Sequence, residues 1–388
     1  MKILLLNHNV VGSAGTYLRA FHFGRELARR GHEIDLISIS PRRRFRFEQK
    51  ERDGITILGS PDLFWGRGRT GWDPWDCVRR AGRIRHGEWD LVHAFDSRPV
   101  VILPALLAQR RGIPLVMDWA DWWGRGGTID ERPMGWALRS VIKPVETWFE
   151  EHFRTRADRT TVISSALEQR AVAHGVAPGS ILRIPQGSDV ENVVPGDRAR
   201  SRTRLGFPAT APILCYMGAL LRGDARFLFD AFSVVRKERP DVRLMMVGTT
   251  SSLVPDDRSI IQTGFVSDDD KLDALAAADV LLLPMTDTIA SRGRWPSKIN
   301  DYLAAGRPIV ATAVGDCHEL FANHRIGIAT AVDAEAFAAA VLALLDDRIT
   351  AGEMGATARN VAERVLAWPI LTERLESLYL SIAPRSHE

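Results

Sequence analysis

Residues 292–308 read RGRWPSKINDYLAAGRP and lead directly into a short apolar run, Ile309 to Ala311. Ser297 is a typical helix N-cap, and Gly306 followed by Pro308 is a typical helix end. The stretch therefore predicts a basic loop, a helix and a strand in succession. A helix that begins directly after a basic loop combines unpaired N–H groups with cations, which suits an anion. We expect part of an αβ unit with an anion site at its turn.

Short apolar runs alternate with helical patterns on both sides of this stretch. Such alternation is typical of parallel sheets covered on both faces. In the C-terminal half the predicted strands are Ile213 to Met217, Leu244 to Val247 and Val280 to Leu283, and the helices are Ala225 to Glu238, Ser297 to Ala305 and Ala334 to Leu345. In the N-terminal half the strands are Ile3 to Leu6, Ile34 to Ile39, Leu91 to Ala94, Leu115 to Asp118, Thr160 to Ile163 and Ile181 to Ile184, with a helix from Thr16 to Arg30.

The 388 residues are too many for one hydrophobic core, so two domains are expected. The segment Glu191 to Arg204 lacks apolar periodicity and contains Pro195 and Gly196, which indicates a linker. We predict a first Rossmann-like domain over 1–192 and a second over 193–366. An amphipathic helix follows in 367–388, and its packing partner is open at this point.

The composition is that of a soluble globular protein, with 45% hydrophobic and 26% charged residues. A net charge of +3 is too small to indicate a nucleic-acid partner. The three cysteines are far apart and show no CxxC spacing, so neither a zinc site nor a disulfide framework is expected. Because no signal peptide and no apolar stretch of roughly 20 residues is present, we expect a cytoplasmic protein.

The predicted helix start has the residues of a phosphate site. Arg292, Arg294 and Lys298 would surround the helix N-terminus with cations. Lys298 and Asp301 are three residues apart, so a cation for phosphate and a carboxylate for ribose hydroxyls would share one helix face. The alternative interpretation is a surface helix with an incidental ion pair between these two residues.

Two other charged groups lie in the C-terminal half. Arg222 follows the strand end at Gly218, where a ligand is expected. The run Asp268 to Asp270 has a D-x-D spacing that is able to hold a metal ion against a diphosphate. However, Ser267 would cap a helix whose first turn contains these aspartates, and there they complement the helix dipole. We therefore assign no metal site.

Two loops in the N-terminal half are candidate acceptor or phosphate sites. The loop Asn9 to Gly15 follows a strand and opens a helix, and Gly12, Ser13 and Gly15 would let a ligand approach the backbone, although the loop is not a G-x-G-x-x-G motif. Trp122 and Trp123 lie in a glycine-rich loop after another strand end. They are either core residues or contacts to an acceptor.

A basic run, Arg42, Arg43, Arg44 and Arg46, is interleaved with two phenylalanines. It is either a solvated loop or a patch that faces anionic lipid or an anionic acceptor.

The order of several short motifs resembles family 4 of the retaining glycosyltransferases over nearly the whole chain. Residues 296–312, PSKINDYLAAGRPIVAT, are similar to that family's P-S-K-x-x-D/E-Y-L-A-x-G motif. The other segments, in the same order as in the family, are GHEI at 31–34, WDLVHA at 89–94, AD at 157–158, VIS at 162–164, IPQGSD at 184–189, YMG at 216–218, GFV at 264–266, ADV at 278–280 and LP at 283–284.

The resemblance implies an α/β protein with the GT-B fold, in which two Rossmann-like doubly wound domains face each other across a cleft. The last helix would cross back to the first domain. A nucleotide-diphosphate sugar would be the co-substrate, with no further cofactor, no obligatory metal, and retention of anomeric configuration. The implied donor-binding residues are Gly218, Arg222, Phe265, Val266, Arg294, Pro296, Ser297, Lys298 and Asp301. The implied catalytic candidates are Asp118, Asp121 and Asp301, the first two in a stretch that resembles a D-x-x-D-x-W version of the family.

The chain departs from the family at specific positions. The usual E-x7-E pair is replaced by Gly293 and Asp301, an arginine by Ala219, and a lysine by Arg222. The strand-end histidine of the first domain is not evident. These changes affect the contacts expected to the sugar ring and to the diphosphate.

We therefore expect a hexosyltransferase that acts on a saccharide or lipid-linked saccharide acceptor in cell-envelope polysaccharide biosynthesis, with peripheral contact at the inner face of the membrane. One alternative is a non-catalytic subunit of the same fold that activates a partner transferase, which Gly293 and Ala219 suggest. The other is a nucleotide-sugar 2-epimerase, for which the sequence shows no acid–base constellation.

Overall fold

A computed structural model describes residues 1–13, 15–42, 44–132, 134–248 and 252–383 of the chain. Ala14 of the first loop and Arg43 of the basic run lie outside the described residues. Contacts within the chain divide it into two compact units, Met1–Pro185 together with Trp368–Glu388, and Gln186–Ala367. Each unit has one sheet and its own hydrophobic core.

The first unit is built on an eight-stranded sheet. Its strands are β1 (Lys2–Val10), β2 (Glu33–Ile39), β3 (Glu48–Arg52), β4 (Ile55–Ser60), β5 (Leu91–Phe95), β6 (Leu115–Trp119), β7 (Arg159–Val162) and β8 (Ile181–Arg183). Their order is β3-β4-β2-β1-β5-β6-β7-β8, and every neighbouring pair is parallel except β3 and β4. The order reverses between β1 and β5, so the switch point at which open α/β sheets bind ligands lies at the carboxyl ends of these two strands.

The second unit is built on a six-stranded, wholly parallel sheet. Its strands are β9 (Ile213–Met217), β10 (Arg243–Val247), β11 (Ile260–Gly264), β12 (Val280–Leu283), β13 (Ile309–Thr312) and β14 (Gly327–Thr330). They follow the order β11-β10-β9-β12-β13-β14, which places the switch point between β9 and β12. The apolar runs of these strands are buried because helices cover both faces of a parallel sheet.

The helices are α1 (Thr16–Arg29), α2 (Pro74–His86), α3 (Pro99–Arg110), α4 (Thr128–Glu131), α5 (Trp136–Phe153), α6 (Ser165–Ala173), α7 (Arg198–Leu205), α8 (Arg222–Glu238), α9 (Asp268–Ala277), α10 (Ile289–Gly293), α11 (Lys298–Ala304), α12 (Asp316–Asn323), α13 (Ala334–Asp346), α14 (Arg348–Arg364) and α15 (Trp368–Leu380). Among the described residues, no helix combines the length and the hydropathy needed to cross a bilayer.

Helix α15 completes the core of the first unit. Trp368 packs against Phe23 of α1, with 5.0 Å between the ring centres, and Leu375 is fully buried. Tyr379 Oη lies 2.6 Å from His93 Nδ1 of β5. The first unit is therefore discontinuous in sequence, because its core includes residues from both ends of the described chain.

The linker predicted over Glu191 to Arg204 is wrong in its second half, where α7 forms within the second unit. Asp197 caps this helix by accepting a hydrogen bond from the Arg200 N–H. Arg202 then donates from Nε to the Ala277 carbonyl over 3.0 Å and from Nη2 to Asp279 over 2.6 Å. Hydrogen bonds from a buried arginine attach α7 to the unit, which is why apolar periodicity gave no signal for it.

Candidate functional site

Three glycines form an open surface at the carboxyl edge of the second sheet. Gly218 follows β9, Gly248 follows β10 and Gly264 ends β11, with φ angles of 96°, 77° and 67°. The Gly218 N–H donates to Val247 over 2.8 Å, and the Gly248 N–H donates to Gly264 over 2.9 Å. Because positive φ favours glycine and glycine has no side chain, this edge presents bare backbone to a ligand.

Lys298, the first residue of α11, lies beside this surface. Its Nζ donates a 2.6 Å hydrogen bond to Tyr216 Oη and lies 3.8 Å from the centre of that ring. A Cβ atom added at Gly218 would be 3.7 Å from the same Nζ. Burial lowers the pKa of Lys298 to about 7, with Asp224 opposing the shift and Arg294 adding to it. The ammonium has no carboxylate at contact distance in the described structure, so an arriving phosphate would be its strongest partner.

The other predicted cations have different surroundings. Arg294 Nε donates to the Ala290 carbonyl over 3.2 Å, and its charge acts on Lys298. Arg222 begins α8 and is exposed. Arg292 pairs with Asp287 through two hydrogen bonds of 2.6 and 2.7 Å. This exposed ion pair engages the Arg292 guanidinium, and the part of Arg292 in an anion cradle with Lys298 stays a prediction.

Ser297 occupies the N-cap position of α11, as predicted, but it does not cap the helix with its side chain. Ser297 has αR backbone angles, and its side chain makes no capping hydrogen bond; it is exposed, and Pro296 is half-buried. Tyr302 holds the helix instead, because its Oη accepts from the Met217 N–H over 2.8 Å and donates to the Leu282 carbonyl over 3.2 Å. One side chain thus attaches α11 to the ends of the two strands that flank the switch point.

Asp301 and Lys298 do not pair with each other, so the surface ion pair considered from the sequence does not form. Asp301 lies 3.9 Å from Lys271 Nζ. Burial raises the pKa of Asp301, and Lys271 opposes the shift. Phe265, directly after β11, is 93% exposed, and Val266 is half-buried. An almost fully exposed phenylalanine beside the glycine surface offers a free ring face to a planar ligand group.

Asp268 to Asp270 form the first turn of α9. Ser267 Oγ accepts a hydrogen bond from the Asp270 N–H, so the interpretation as an N-cap with dipole-compensating aspartates is confirmed. Within the described part of the chain, no group of three or more histidine, cysteine or acidic side chains is placed to hold a metal ion.

In the first unit, the loop before α1 is partly closed by its own side chains. Gly12 and Gly15 have φ angles of 83° and 77°. Both the N–H and the hydroxyl of Ser13 donate to the Val10 carbonyl, over 2.9 and 2.6 Å. Asn9 Oδ1 accepts from the Tyr17 N–H over 3.2 Å and so occupies one donor of the helix N-terminus. The loop therefore offers a phosphate fewer free N–H groups than its sequence suggests.

Asp118 belongs to a buried network of an ion pair and hydrogen bonds. Its carboxylate is fully buried at the end of β6, where it accepts from Arg19 Nε and Nη2, each over 3.0 Å, and from the Thr161 hydroxyl over 2.6 Å. These contacts and its full burial give Asp118 a structural role, and its direct catalytic role stays a prediction. Asp121 is half-buried, and its carbonyl accepts from Arg154 Nη1 over 2.9 Å. Its catalytic role stays a prediction.

Trp122 and Trp123 are half-buried and packed against arginines. Arg170 lies 4.1 Å above the ring of Trp122, and Arg98 and Arg132 lie 4.7 and 5.2 Å from the centre of Trp123. The rings are therefore neither pure core nor freely exposed, and their part in acceptor binding stays a prediction.

Sequence reasoning missed a pair at the switch point of the first sheet. His8 near the end of β1 and Asp96 directly after β5 bring Nδ1 and Oδ2 to 3.2 Å. Asp96 has a φ of 126°, which is strained for a residue with a side chain and is a feature that clusters at functional sites. Burial lowers the pKa of His8 to about 4, whereas His8, Arg154 and Arg98 lower the pKa of Asp96 against its own burial. A signal was present in the sequence, because the two residues lie near the carboxyl ends of strands that neighbour each other in the sheet.

Comparison with known proteins gives the family. Residues 15–192 match the family described as Glycosyltransferase Family 4, and residues 211–347 match the one described as Glycosyl transferases group 1. The chain belongs to glycosyltransferase family 4. The resemblance drawn from the short motifs is thereby confirmed, as is the expectation of a glycosyltransferase.

Two relatives of this family 4 glycosyltransferase are mannosyltransferases by name. A GDP-mannose-dependent alpha-mannosyltransferase of Mycolicibacterium smegmatis is 26% identical, over 97% of this chain and 95% of that protein. A GDP-mannose-dependent monoacylated alpha-(1-6)-phosphatidylinositol monomannoside mannosyltransferase of Corynebacterium glutamicum is 28% identical, over 58% of this chain and 63% of that protein. Among solved structures, a sucrose-phosphate synthase from Thermosynechococcus elongatus is similar with a TM-score of 0.73 at 18% identity over 98% of both chains. The predicted GT-B fold is confirmed.

Proposed function

We propose that this family 4 glycosyltransferase transfers a mannosyl group from GDP-mannose to a hydroxyl of a saccharide or lipid-linked saccharide. The two relatives named above use GDP-mannose by name, and one is named for a phosphatidylinositol mannoside, which supports a lipid-linked acceptor in cell-envelope biosynthesis. The observation that carries the donor part is Lys298, a half-buried ammonium without a contacting carboxylate beside the bare backbone at Gly218.

The donor diphosphate would lie over the glycine surface with Lys298 and Arg294 as its cations. As the bond between the sugar and the diphosphate breaks, negative charge develops on the leaving phosphate, and fixed cations stabilise it. Because these side chains supply the charge, we propose that transfer needs no metal ion. Retention of anomeric configuration is proposed from the family alone.

The remaining donor contacts follow from exposure and charge. Phe265 would stack on the nucleotide base, and the Asp301 carboxylate would accept hydrogen bonds from ribose hydroxyls. Arg222 at the start of α8 is a second candidate for the diphosphate.

The acceptor would bind to the first unit at the carboxyl edge of its sheet. There His8 and Asp96 lie at the switch point, and the His8 ring is 6.1 Å from the ring of Trp123. We propose that the buried pair holds the loop around Trp122 and Trp123 and that these rings contact the acceptor saccharide.

We also propose that the enzyme works in the cytoplasm at the inner face of the membrane. A lipid-linked acceptor requires this contact, and exposed Arg42 and Arg46 with partly exposed Arg44 provide positive charge toward anionic headgroups.

The test of the donor proposal is thermal unfolding with GDP-, UDP-, ADP- and dTDP-sugars, followed by turnover with a mannosylated lipid acceptor. A ligand at about 100 times its Kd stabilises a protein by about 2.7 kcal/mol, which is a visible shift. GDP-mannose is expected to give the shift, and Lys298→Met is expected to abolish it.

Other outcomes would each replace the proposal. A shift with UDP-sugars alone would change the donor. A donor shift without any turnover, together with tight binding to a second transferase, would favour the non-catalytic subunit suggested by Gly293 and Ala219. Conversion of the donor in the absence of an acceptor would favour an epimerase.

A further inference from the structure

Helix α5 of the first unit has its polar side inward and its apolar side outward. The buried residues of this helix are Glu146, Thr147 and Glu150. The exposed side chains are large and apolar: Trp136 (82%), Leu138 (56%), Val141 (66%), Val145 (41%) and Trp148 (52%). A helix on the surface of a globular protein normally has the opposite arrangement.

The inward polar residues are firmly held. Glu146 Oε1 accepts from Arg98 over 2.6 Å and from Arg132 over 2.9 Å. Glu150 accepts from the Gly124 N–H over 2.6 Å and from Arg154 over 3.1 Å. Rotation of α5 to bury its apolar side would separate these buried charges from their partners, which is strongly unfavourable. The outward direction of the apolar side is therefore fixed by the fold.

We name the outward residues the outer face of α5: Trp136, Leu138, Val141, Val145 and Trp148. The last four are separated by three, four and three residues, which places them on one side of a helix. At a rise of about 1.5 Å per residue, the outer face extends over about 18 Å of the helix. Trp148 is at one end, and Trp136, in the first turn, lies about a third to a half turn around the axis from the other four residues. Tryptophan is enriched where an apolar phase meets water.

An aromatic and basic patch adjoins this helix. Trp65 is 74% exposed, and the guanidinium of Arg44 lies 3.1 Å from the centre of its ring. Neither residues 41–47 nor residues 63–72 include an acidic residue. Trp72, at the end of the second segment, packs on Phe149 of α5, with 5.1 Å between ring centres. Arg69 in the second segment pairs with Asp62, so the positive charge left for a partner is that of Arg44 and the exposed Arg42 and Arg46. This basic patch and the outer face of α5 are neighbours on one unit.

We propose that the outer face of α5 lies in the surface of an anionic lipid bilayer, with its apolar side chains among the acyl chains and the neighbouring basic patch on the headgroups. This inference deepens, and rests on, the membrane contact of the proposed function. An apolar stripe bordered by tryptophan and arginine is the pattern of a helix that lies in a membrane surface. A second copy of the chain fits less well, because a symmetric contact would bring the same arginines together.

The double variant Trp136→Ser/Val141→Ser tests the proposal, with Ile349→Ser/Leu380→Ser as a matched control. The control also removes two exposed apolar side chains, 79% and 62% exposed, but from α14 and α15. Each protein is sedimented with vesicles of phosphatidylcholine that contain about one third phosphatidylglycerol, and with vesicles of phosphatidylcholine alone. The wild type and the control are expected to bind the anionic vesicles. The test variant is expected to partition about tenfold more weakly, because it loses two apolar side chains that would insert among the acyl chains.

Three results would overturn the proposal. They are absence of vesicle binding by the wild type, equal vesicle binding by the wild type and the test variant, and a self-association of the wild type that the test variant alone loses in sedimentation velocity without lipid. Donor-induced thermal stabilisation, measured on the same samples, separates this inference from the proposed function. Loss of vesicle binding with an unchanged donor shift supports the inference, whereas a missing donor shift in the wild type counts against the function only.

Discussion

The Lys298 side chain is only partly protonated near neutral pH until an anion binds to it. Burial lowers its pKa to about 7, and the diphosphate would favour the protonated form. Donor binding should therefore take up a proton, and affinity should fall as the pH rises above about 7. Calorimetric titration with GDP from about pH 6 to about pH 9 is expected to show this decline, with proton uptake visible as a dependence on the ionisation enthalpy of the buffer.

Lys298→Arg is the matched variant for this prediction. Its guanidinium stays charged at every pH in the range, so its GDP affinity should be nearly constant between the two ends. A wild-type affinity that does not change with pH would show that Lys298 takes up no proton on donor binding.

Asp118 stabilises the first unit through its ion pair with Arg19. Substitution of Asp118 should therefore lower the unfolding free energy, whatever its effect on turnover. Asp118→Asn leaves a buried guanidinium without its counter-charge, which costs about 3–5 kcal/mol of unfolding free energy. Asp53→Asn, which breaks the exposed pair with Arg52, should cost less than about 1 kcal/mol. Urea unfolding measures both. If Asp118→Asn keeps full stability but loses turnover, the catalytic role predicted from the sequence is right.

Residue types and spacing were enough to locate Lys298, Gly218 and Phe265, because each follows directly from a motif or a strand end. They were not enough for Asp118 and Arg292, whose partners, Arg19 and Asp287, decide what these charges do. Arg19 lies 99 residues from Asp118, so a local pattern cannot show this partner, whereas Asp287 is only five residues from Arg292 and was overlooked.

At the level of elements, α15 is a core helix of the first unit. Leu375 is fully buried in it, so Leu375→Ala should lower the unfolding free energy by about 2–5 kcal/mol. Leu380→Ala, at the exposed end of the same helix, should change it by about 0.5 kcal/mol at most. Chemical denaturation followed by circular dichroism compares the two. Equal effects would mean that α15 does not pack as described.

Helices and strands could be predicted from the sequence where a regular pattern of apolar residues marked them. Most of the predicted strands and α1 appear close to their predicted bounds, because burial on both faces leaves continuous apolar runs. Strand β1 extends further, to Val10, and β4, β11 and β14 were not predicted. Helix α7 was missed because Arg202 holds it by hydrogen bonds. The unusual orientation of α5 was equally hidden, since periodicity shows that a helix has an apolar side but not which way that side faces.

At the scale of the whole molecule, the second unit is continuous in sequence and the first is not. A fragment of residues 186–367 should therefore fold alone and retain GDP binding, with an affinity within about tenfold of the full chain, because the proposed nucleotide contacts lie within it. A fragment of residues 1–185 should remain unfolded, because Trp368 and Leu375 are missing from its core.

Circular dichroism of the two fragments, with and without GDP, provides the measurement. Addition of a synthetic peptide of residues 368–383 to the first fragment is the control, and recovery of its signal is expected. A folded 1–185 fragment without the peptide would contradict the assignment of α15 to the first core.

The late position of α15 in the chain also determines an order of events during synthesis on the ribosome. The second unit can close as soon as residue 367 leaves the exit tunnel, whereas the N-terminal sheet, although made first, must wait for the final helix. During that interval the strands around β5 would expose the surface that Tyr379 and Leu375 later cover. A nascent chain of this kind is a client for chaperones that shield apolar surface at the tunnel exit, and the time it spends there is set by the translation of the intervening unit.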